Sequence, residues 1–179
     1  MPKLLEHAVE IKKKFEQCKL KAYRDSGGIL TIGWGHTSDS FFRVDEGMVI
    51  TQEKADELLW HDIGEAETVV KKDILIDLLN DFQYSALVDI VYNSGRLLRR
   101  VAGAWKPSDL MIAINSNELD KAAELIKTFK IKDASGKELL GLKRRRMAAH
   151  LLWKLNEHTQ ILAKDWAEMA YNQIYKMKL

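Results

Sequence analysis

Apolar residues fall at Leu4, Ala8, Ile11, Phe15 and Cys18, a spacing of three and four that puts them on one stripe of a helix. The pattern predicts a first helix over residues 4–16. The period then changes: Tyr23, Asp25, Ser26, Gly27 and Gly28, followed by Leu30-Thr31-Ile32-Gly33, read as a turn between short strands. This is the only convincing β signal in the chain, and it extends loosely through Phe41, Phe42 and Val44. Thr51 is placed to cap a long helix, because Ala55, Leu58, Leu59, Ile63, Ala66, Val69 and Val70 repeat at helical spacing behind it. Its capping box is incomplete, since Lys54 stands where a Glu or Gln would reach back.

Further helices are expected over 80–92, ended by Asn93-Ser94-Gly95, in a short piece after Pro107, over 118–129, and in a last stretch from 142 onward. Lys132-Asp133-Ala134-Ser135-Gly136-Lys137 reads as a polar loop. In the last stretch Leu151, Leu155, His158, Leu162, Trp166 and Met169 recur at helical spacing. There Glu157, Asp165 and Glu168 offset Lys154 and Lys164, so packing on the rest of the protein is expected over membrane insertion. No fixed-period repeat or low-complexity tract interrupts the chain. The expected architecture is α+β and mostly α, in one domain over 1–179. A small N-terminal lobe with a β-hairpin (15–60) is joined by a long helix to a helical C-terminal lobe (70–179), on which residues 1–14 pack.

With 179 residues and 46% hydrophobic composition, the chain can bury a sizeable core without a covalent staple. Its single cysteine, Cys18, excludes an intramolecular disulfide and suits a reducing compartment, so synthesis in the cytosol is expected. Charges at Lys3, Glu6, Glu10, Lys12, Lys13 and Lys14 leave no apolar stretch of the kind a signal peptide needs. No apolar run approaches the roughly 18 residues of a membrane span, so a soluble protein is expected. A net charge of +2, from 28 basic and 26 acidic residues, is too small to argue for nucleic acid.

The chemistry starts from Glu16, at the end of the first helix beside its apolar stripe, where partial desolvation favours the neutral acid. Lys12 and Lys13 lie one turn earlier and oppose that shift if they point the same way, so the sign of the net effect stays open. Glycosidic hydrolysis needs a carboxylic acid to protonate the leaving oxygen and a second carboxylate across the bond. Asp25 follows Glu16 by nine residues, and Thr31 comes six later on the strand after the glycine turn, where its hydroxyl can share a water with Asp25. By spacing alone the ordinary reading, solvated residues of a helix end and a turn, is the better one.

The string that contains them changes this. EQCKLKAYRDSGGILTIGWGHT, residues 16–37, resembles the signature of the phage-type lysozymes, family-24 glycoside hydrolases: a Glu, a Leu and Tyr, an Asp, a Gly, then Thr-Ile-Gly-aromatic-Gly-His-Thr. ITQEKADELLWHDIGEAETVV (50–70), FQYSALVDIVYNSG (82–95) and GLKRRRMAAHLLW (141–153) match further blocks of that family in the same order. The resemblance implies a lysozyme-like fold and a cofactor-free muramidase. Such an enzyme cuts the β-1,4 bond between N-acetylmuramic acid and N-acetylglucosamine in peptidoglycan, with Glu16, Asp25 and Thr31 as catalytic residues. It further implies inversion, with Glu16 as general acid and Asp25 with Thr31 holding the attacking water, which needs carboxyl groups about 6.5–9.5 Å apart. Gly33 and His36 belong to the same signature, and one of Arg144 and Arg145 is implied to hold Glu16, the alternative being a solvated basic helix face. A monomeric endolysin is implied, held in the host cytoplasm until a holin opens the membrane and then acting in the periplasm on the wall. No nucleic acid and no stable membrane association belong to this picture.

The sequence departs from the pattern at Gln17, where a Gly commonly follows the Glu, at Trp34, where a Tyr is more usual, and at Ala149, where an acid is frequent. Past Trp153 the resemblance ends. Other chemistry-bearing residues have simpler readings. His36 is expected to bond a neighbouring acid, with no second metal ligand at a recognisable spacing. Cys18 continues the apolar stripe as a buried, inert thiol. His61, His150 and His158 are isolated, and the run Lys143-Arg144-Arg145-Arg146 reads as a solvated or substrate-facing surface. Three functions remain to be separated: an active muramidase, a lysozyme-like protein that binds wall without cutting it, and an unrelated helical binding module. The intact Glu16, Asp25 and Thr31 favour the first.

Overall fold

The computed structural model describes every residue except Met1, Leu5, Ser26, Asp133, Ala134, Glu157, Lys178 and Leu179. The expectations placed on Ser26, on Asp133 and Ala134 of the polar loop, and on the charge of Glu157 therefore lie outside the described residues. The chain opens with α1 (Glu6–Phe15), followed by a three-stranded antiparallel sheet of β1 (Lys19–Arg24), β2 (Leu30–Gly33) and β3 (His36–Thr37) in the order β1-β2-β3. Its register pairs Tyr23 with Thr31, Thr31 with Thr37, and Ile32 with His36. No strand forms over residues 41–44. Residues 48–50 instead lie along β1, with Ala22 N–H donating to Met48 O and Ile50 N–H to Leu20 O.

The long helix α2 (Gln52–Asp73) starts where Thr51 accepts a hydrogen bond from Lys54 N–H at 3.2 Å, a single cap without the reciprocal bond of a full box. Its Leu58 packs with Ile32 and Val44 in a small apolar cluster under the sheet. Leu59, Ile63, Ala66 and Val70 join the large helical core, so one helix serves both. After a 3-10 turn (Ile76–Leu78) comes α3 (Asp81–Ser94), which has a complete capping box between Asn80 and Gln83 and stops at Gly95, whose φ of 75° is the left-handed conformation glycine tolerates.

A second hairpin follows, β4 (Leu98–Val101) and β5 (Ala104–Pro107), in a segment that carries no strand pattern. Its turn residues Ala102 and Gly103 both have positive φ, 48° and 84°, the twist a tight hairpin needs. Ala in place of Asn or Asp hides that turn, and Arg99, Arg100 and Lys106 blur the alternation. Then come α4 (Asp109–Asn115), capped by Ser108, α5 (Leu119–Thr128), α6 (Leu140–Trp153) and α7 (Ala163–Lys176). The expected continuous C-terminal stripe is corrected here: residues 154–162 separate two helices, and Leu162 and Met169 are exposed. The buried face of α7 is Trp166, Ala167, Ala170 and Ile174, which pack on α1 and α6. The small alanines let these helices approach closely. Among the described residues no helix is long and apolar enough to cross a membrane.

Candidate active site

Glu16 sits one residue past α1, its N–H still donating to Lys12 O at 3.0 Å, so the helix end aims its carboxyl without fixing it. Arg145 of α6 fixes it: Nη1 donates to Glu16 Oε1, and Nη2 donates to Asp89 Oδ1 of α3 at 2.9 Å. Arg145 and Asp89 are 6% and 3% exposed. This buried pair is the rigid part: the guanidinium bridges the two carboxylates with one nitrogen on each, so its charge-assisted bond to Asp89 keeps it turned toward Glu16. Of the two candidate arginines, the geometry brings Arg145 to Glu16. Arg144 instead lies over the ring of Tyr175 at 3.9 Å. A cavity of about 270 Å³ opens here, lined by Phe15, Glu16, Arg144, Arg145, Leu142 and Tyr175 among others.

The basic run is therefore only partly the solvated surface expected of it. Arg146 is fully buried, donating from Nε to Phe129 O at 2.7 Å and from Nη2 to Asn93 at 3.0 Å. Burial pushes its pKa down to about 10. Of the two lysines one turn before Glu16, Lys12 turns inward and joins the site, which the spacing alone does not reveal. It is 4% exposed, its Nζ is 3.9 Å from Glu16 and 3.7 Å from the ring centre of Tyr92. Burial, reinforced by the charge of Arg145 and only partly offset by Asp89 and Glu16, lowers its pKa to about 7. The available signal for this cluster was Asp89, a lone acid inside the apolar run Ala86-Leu87-Val88-Asp89-Ile90-Val91.

Across the hairpin turn, Asp25 Oδ1 accepts from the backbone N–H of Gly27 at 2.9 Å and of Ile29 at 2.8 Å. Thr31 is buried and its hydroxyl donates to Ile29 O at 3.0 Å. The Ile29 residue thus links the two side chains: its N–H is bound by one and its carbonyl by the other. Tyr23, the cross-strand partner of Thr31, has its phenol raised by burial first and then by the charges of Glu16 and Asp25. That ring lies within the field of both carboxylates.

Gly33 ends β2 at φ 62°, and a Cβ there would stand 3.3 Å from the Ala55 side chain of α2. Its role in the geometry is close packing of sheet on helix. His36 is buried beside it, Nδ1 at 2.8 Å from Asp62 of α2 and Nε2 at 3.3 Å from Phe42 O. His36, Asp39 and Asp62 offer atoms within 4.8 Å of one another, a spacing a cation can use, but the ring nitrogens are already engaged by hydrogen bonds. Asp39 also holds His61 at 2.7 Å, so His61 is not isolated. Cys18 is half-buried, not buried, and burial raises its pKa, which disfavours the nucleophilic thiolate. Trp34 donates to Asp56 at 2.7 Å, and Lys13 of α1 reaches the same carboxylate at 2.7 Å, tying the end of β2, α1 and α2 together.

A small sheet, a long helix shared by two apolar clusters and a helical body, with an arginine-held glutamate in the cleft, define a glycoside hydrolase of lysozyme-like fold. The chain belongs to the phage lysozyme family, whose model matches residues 13–149. It is 35% identical over 141 residues to the endolysin of Salmonella phage P22, covering 78% of this chain and 91% of that one. To the endolysin of Acyrthosiphon pisum secondary endosymbiont phage 1 it is 34% identical over 145 residues, covering 79% and 91%. Among solved structures, the endolysin from Escherichia coli O157:H7 phage FAHEc1 superimposes with a TM-score of 0.69 at 30% identity, over 85% of this chain and 93% of that one. The muramidase domain of SpmX from Asticaccaulis excentricus gives 0.71 at 27% identity, over 87% and 100%.

Proposed function

We propose that this chain is an endolysin: a muramidase that hydrolyses the β-1,4 bond between N-acetylmuramic acid and N-acetylglucosamine in peptidoglycan with inversion. The observation that carries the reading is Glu16, held by the buried Arg145–Asp89 pair at the wall of a cleft, in a chain of the phage lysozyme family. Glu16 gives its proton to the leaving glycosidic oxygen. A water on the opposite ring face attacks the anomeric carbon while Asp25 takes its proton, and the new reducing end carries the α-configuration. The two backbone bonds to Asp25 Oδ1 support this role, since they orient the carboxylate while Oδ2 makes none of them. Thr31 shares that water with Asp25: its hydroxyl hydrogen goes to Ile29 O, which turns the oxygen lone pairs toward a donor such as the water. The protein works as a monomer, waits in the host cytoplasm, and reaches the wall after a holin opens the membrane.

Clearing of outer-membrane-permeabilised cells by the parent chain and by Glu16→Gln tests the reading. The variant keeps shape but delivers no proton, so its rate is expected to fall by at least about 10²-fold while folding survives. Equal rates would remove Glu16 from the mechanism, and no clearing by the parent would favour wall binding without cleavage. Thr31→Ala is expected to lower kcat with KM little changed. Proton magnetic resonance of early products decides the stereochemistry: a β-anomer appearing first would make Asp25 a nucleophile.

A further inference from the structure

Helix α7 lies beyond the segment that matches the family, yet it reaches the cleft. Its Tyr175 lines the same cavity as Glu16, and Tyr175 stacks on Tyr171 at 4.2 Å while Phe15, the neighbour of Glu16, meets Tyr171 edge-on at 5.3 Å. Arg144 lies over Tyr175 at 3.9 Å, also in the cavity wall. Its position differs from that of its neighbours. Arg145 spans two carboxylates and Arg146 binds a carbonyl and an amide, whereas Arg144 has no acidic partner among the described residues and its buried Nε makes no hydrogen bond there. The cavity also takes in Leu139, the residue before α6, and Gly141 and Leu142 of its first turn, where no side chain caps the helix. A stacked guanidinium without a carboxylate and an uncapped helix N-terminus both favour an anion at one place.

We propose that Arg144, held in position by Tyr175 of α7, forms with the first turn of α6 a subsite for a carboxylate of the substrate, immediately beside Glu16. It rests on the muramidase reading. The ligand class is a carboxylate of the peptide on the muramyl side arm, since the lactyl carboxyl of a peptide-bearing residue is taken up in the amide bond to that peptide. Binding that arm draws the glycan into register with the acid. Arg144 is the contacting residue and Tyr175 the positioning one, since the ring holds the guanidinium at the cavity wall that both line. The C-terminal helix is on this account part of the substrate cleft.

The test pairs a change in the enzyme with a change in the substrate. Reducing-end release is measured on native sacculi, on sacculi whose carboxylates are amidated with carbodiimide and ammonia, and on glycan strands stripped of peptide by an amidase. For the parent, amidation is expected to lower kcat/KM by about tenfold to a hundredfold, the size of one charge-assisted hydrogen bond. Arg144→Gln is expected to lose about as much on native sacculi and to be insensitive to amidation. Tyr175 is 45% exposed, so Tyr175→Leu is expected to fold and to resemble Arg144→Gln, with Tyr175→Phe resembling the parent. Equal sensitivity to amidation in the parent and Arg144→Gln would overturn the subsite, as would a Tyr175→Phe defect equal to that of Tyr175→Leu. Stripping frees the lactyl carboxylate, so stripped strands are amidated as well: parent and Arg144→Gln are expected to cut these uncharged strands alike, and a difference that persists on them would overturn a carboxylate ligand. If the parent cuts none of these substrates, the muramidase reading fails. Co-sedimentation with native and amidated sacculi then still tests the subsite, through loss of charge-dependent binding in Arg144→Gln.

Discussion

Replacing Lys12 by Met removes a charge that the fold tolerates poorly, and its effect on stability has a definite pH signature. The Lys12 side chain is buried against Tyr92 and its pKa falls from 10.5 to about 7, so the folded state prefers the neutral amine. Because the folded pKa lies below the unfolded one, the unfolded chain binds more protons between them, and stability rises with pH over that window. It is greatest above pH 10.5, falls as pH drops toward 7, and levels off below. At 1.36 kcal/mol per pKa unit, the full span amounts to about 5 kcal/mol, and the part between pH 7 and 9 to about 2–3 kcal/mol. Met keeps most of the volume of the Lys stem and titrates nowhere, at the expense of the cation–π contact, about 1–2 kcal/mol when desolvated. Urea unfolding at pH 6, 7, 8 and 9 is the assay, with linear extrapolation at each pH. The parent is expected to gain about 2–3 kcal/mol on Lys12→Met between pH 7 and 9, and Lys12→Met to be the more stable of the two at pH 6. Parallel stability curves would refute the reasoning, for they would mean that Lys12 keeps its charge in the folded protein across this range.

Asp89→Asn leaves Arg145 buried with one carboxylate fewer, so a loss of about 3–5 kcal/mol is expected in urea unfolding, with a drop in lytic rate as Glu16 loosens. A loss under about 1 kcal/mol would show that the pair is not structural. His36 titrates in the opposite sense to Lys12: burial alone lowers its pKa, but the hydrogen bond and charge of Asp62 outweigh it and raise the value. That contribution is complete below the unfolded pKa of about 6.5 and is lost as pH rises through the raised folded value. Asp62→Asn is therefore expected to depress Tm more at pH 5 than at pH 9, and a gap independent of pH would contradict it.

The elements read correctly from the sequence are those whose signals are local. Thr51 and Gly95 mark a helix start and a helix stop because a side-chain oxygen or a positive φ acts within one turn of chain. The hairpin carrying Asp25 and Thr31 is legible for the same reason, its bonds through Ile29 spanning at most four residues. The turn at Ala102-Gly103 was hidden, since Ala adopts positive φ only when the strands on either side are paired. Helical periodicity likewise continues through residues 154–162 in the sequence, while the structure breaks there so that Trp166 and Ala170 can pack against α1.

Which charges go inside was decided by the tertiary structure alone. Arg144, Arg145 and Arg146 are consecutive and chemically identical, yet one stacks on an aromatic ring, one bridges Glu16 and Asp89, and one is sealed in the core. Their partners lie just past α1, on α3, at the end of α5 and on α7, so nothing within a few residues of the run distinguishes them. A buried ion must find its counter-charge or its neutral form, and that condition is met by whichever groups the packing of distant helices brings together. Lys12 obeys the same condition, since its depressed pKa exists only because α1 is covered by the helices that carry Tyr92 and Arg145.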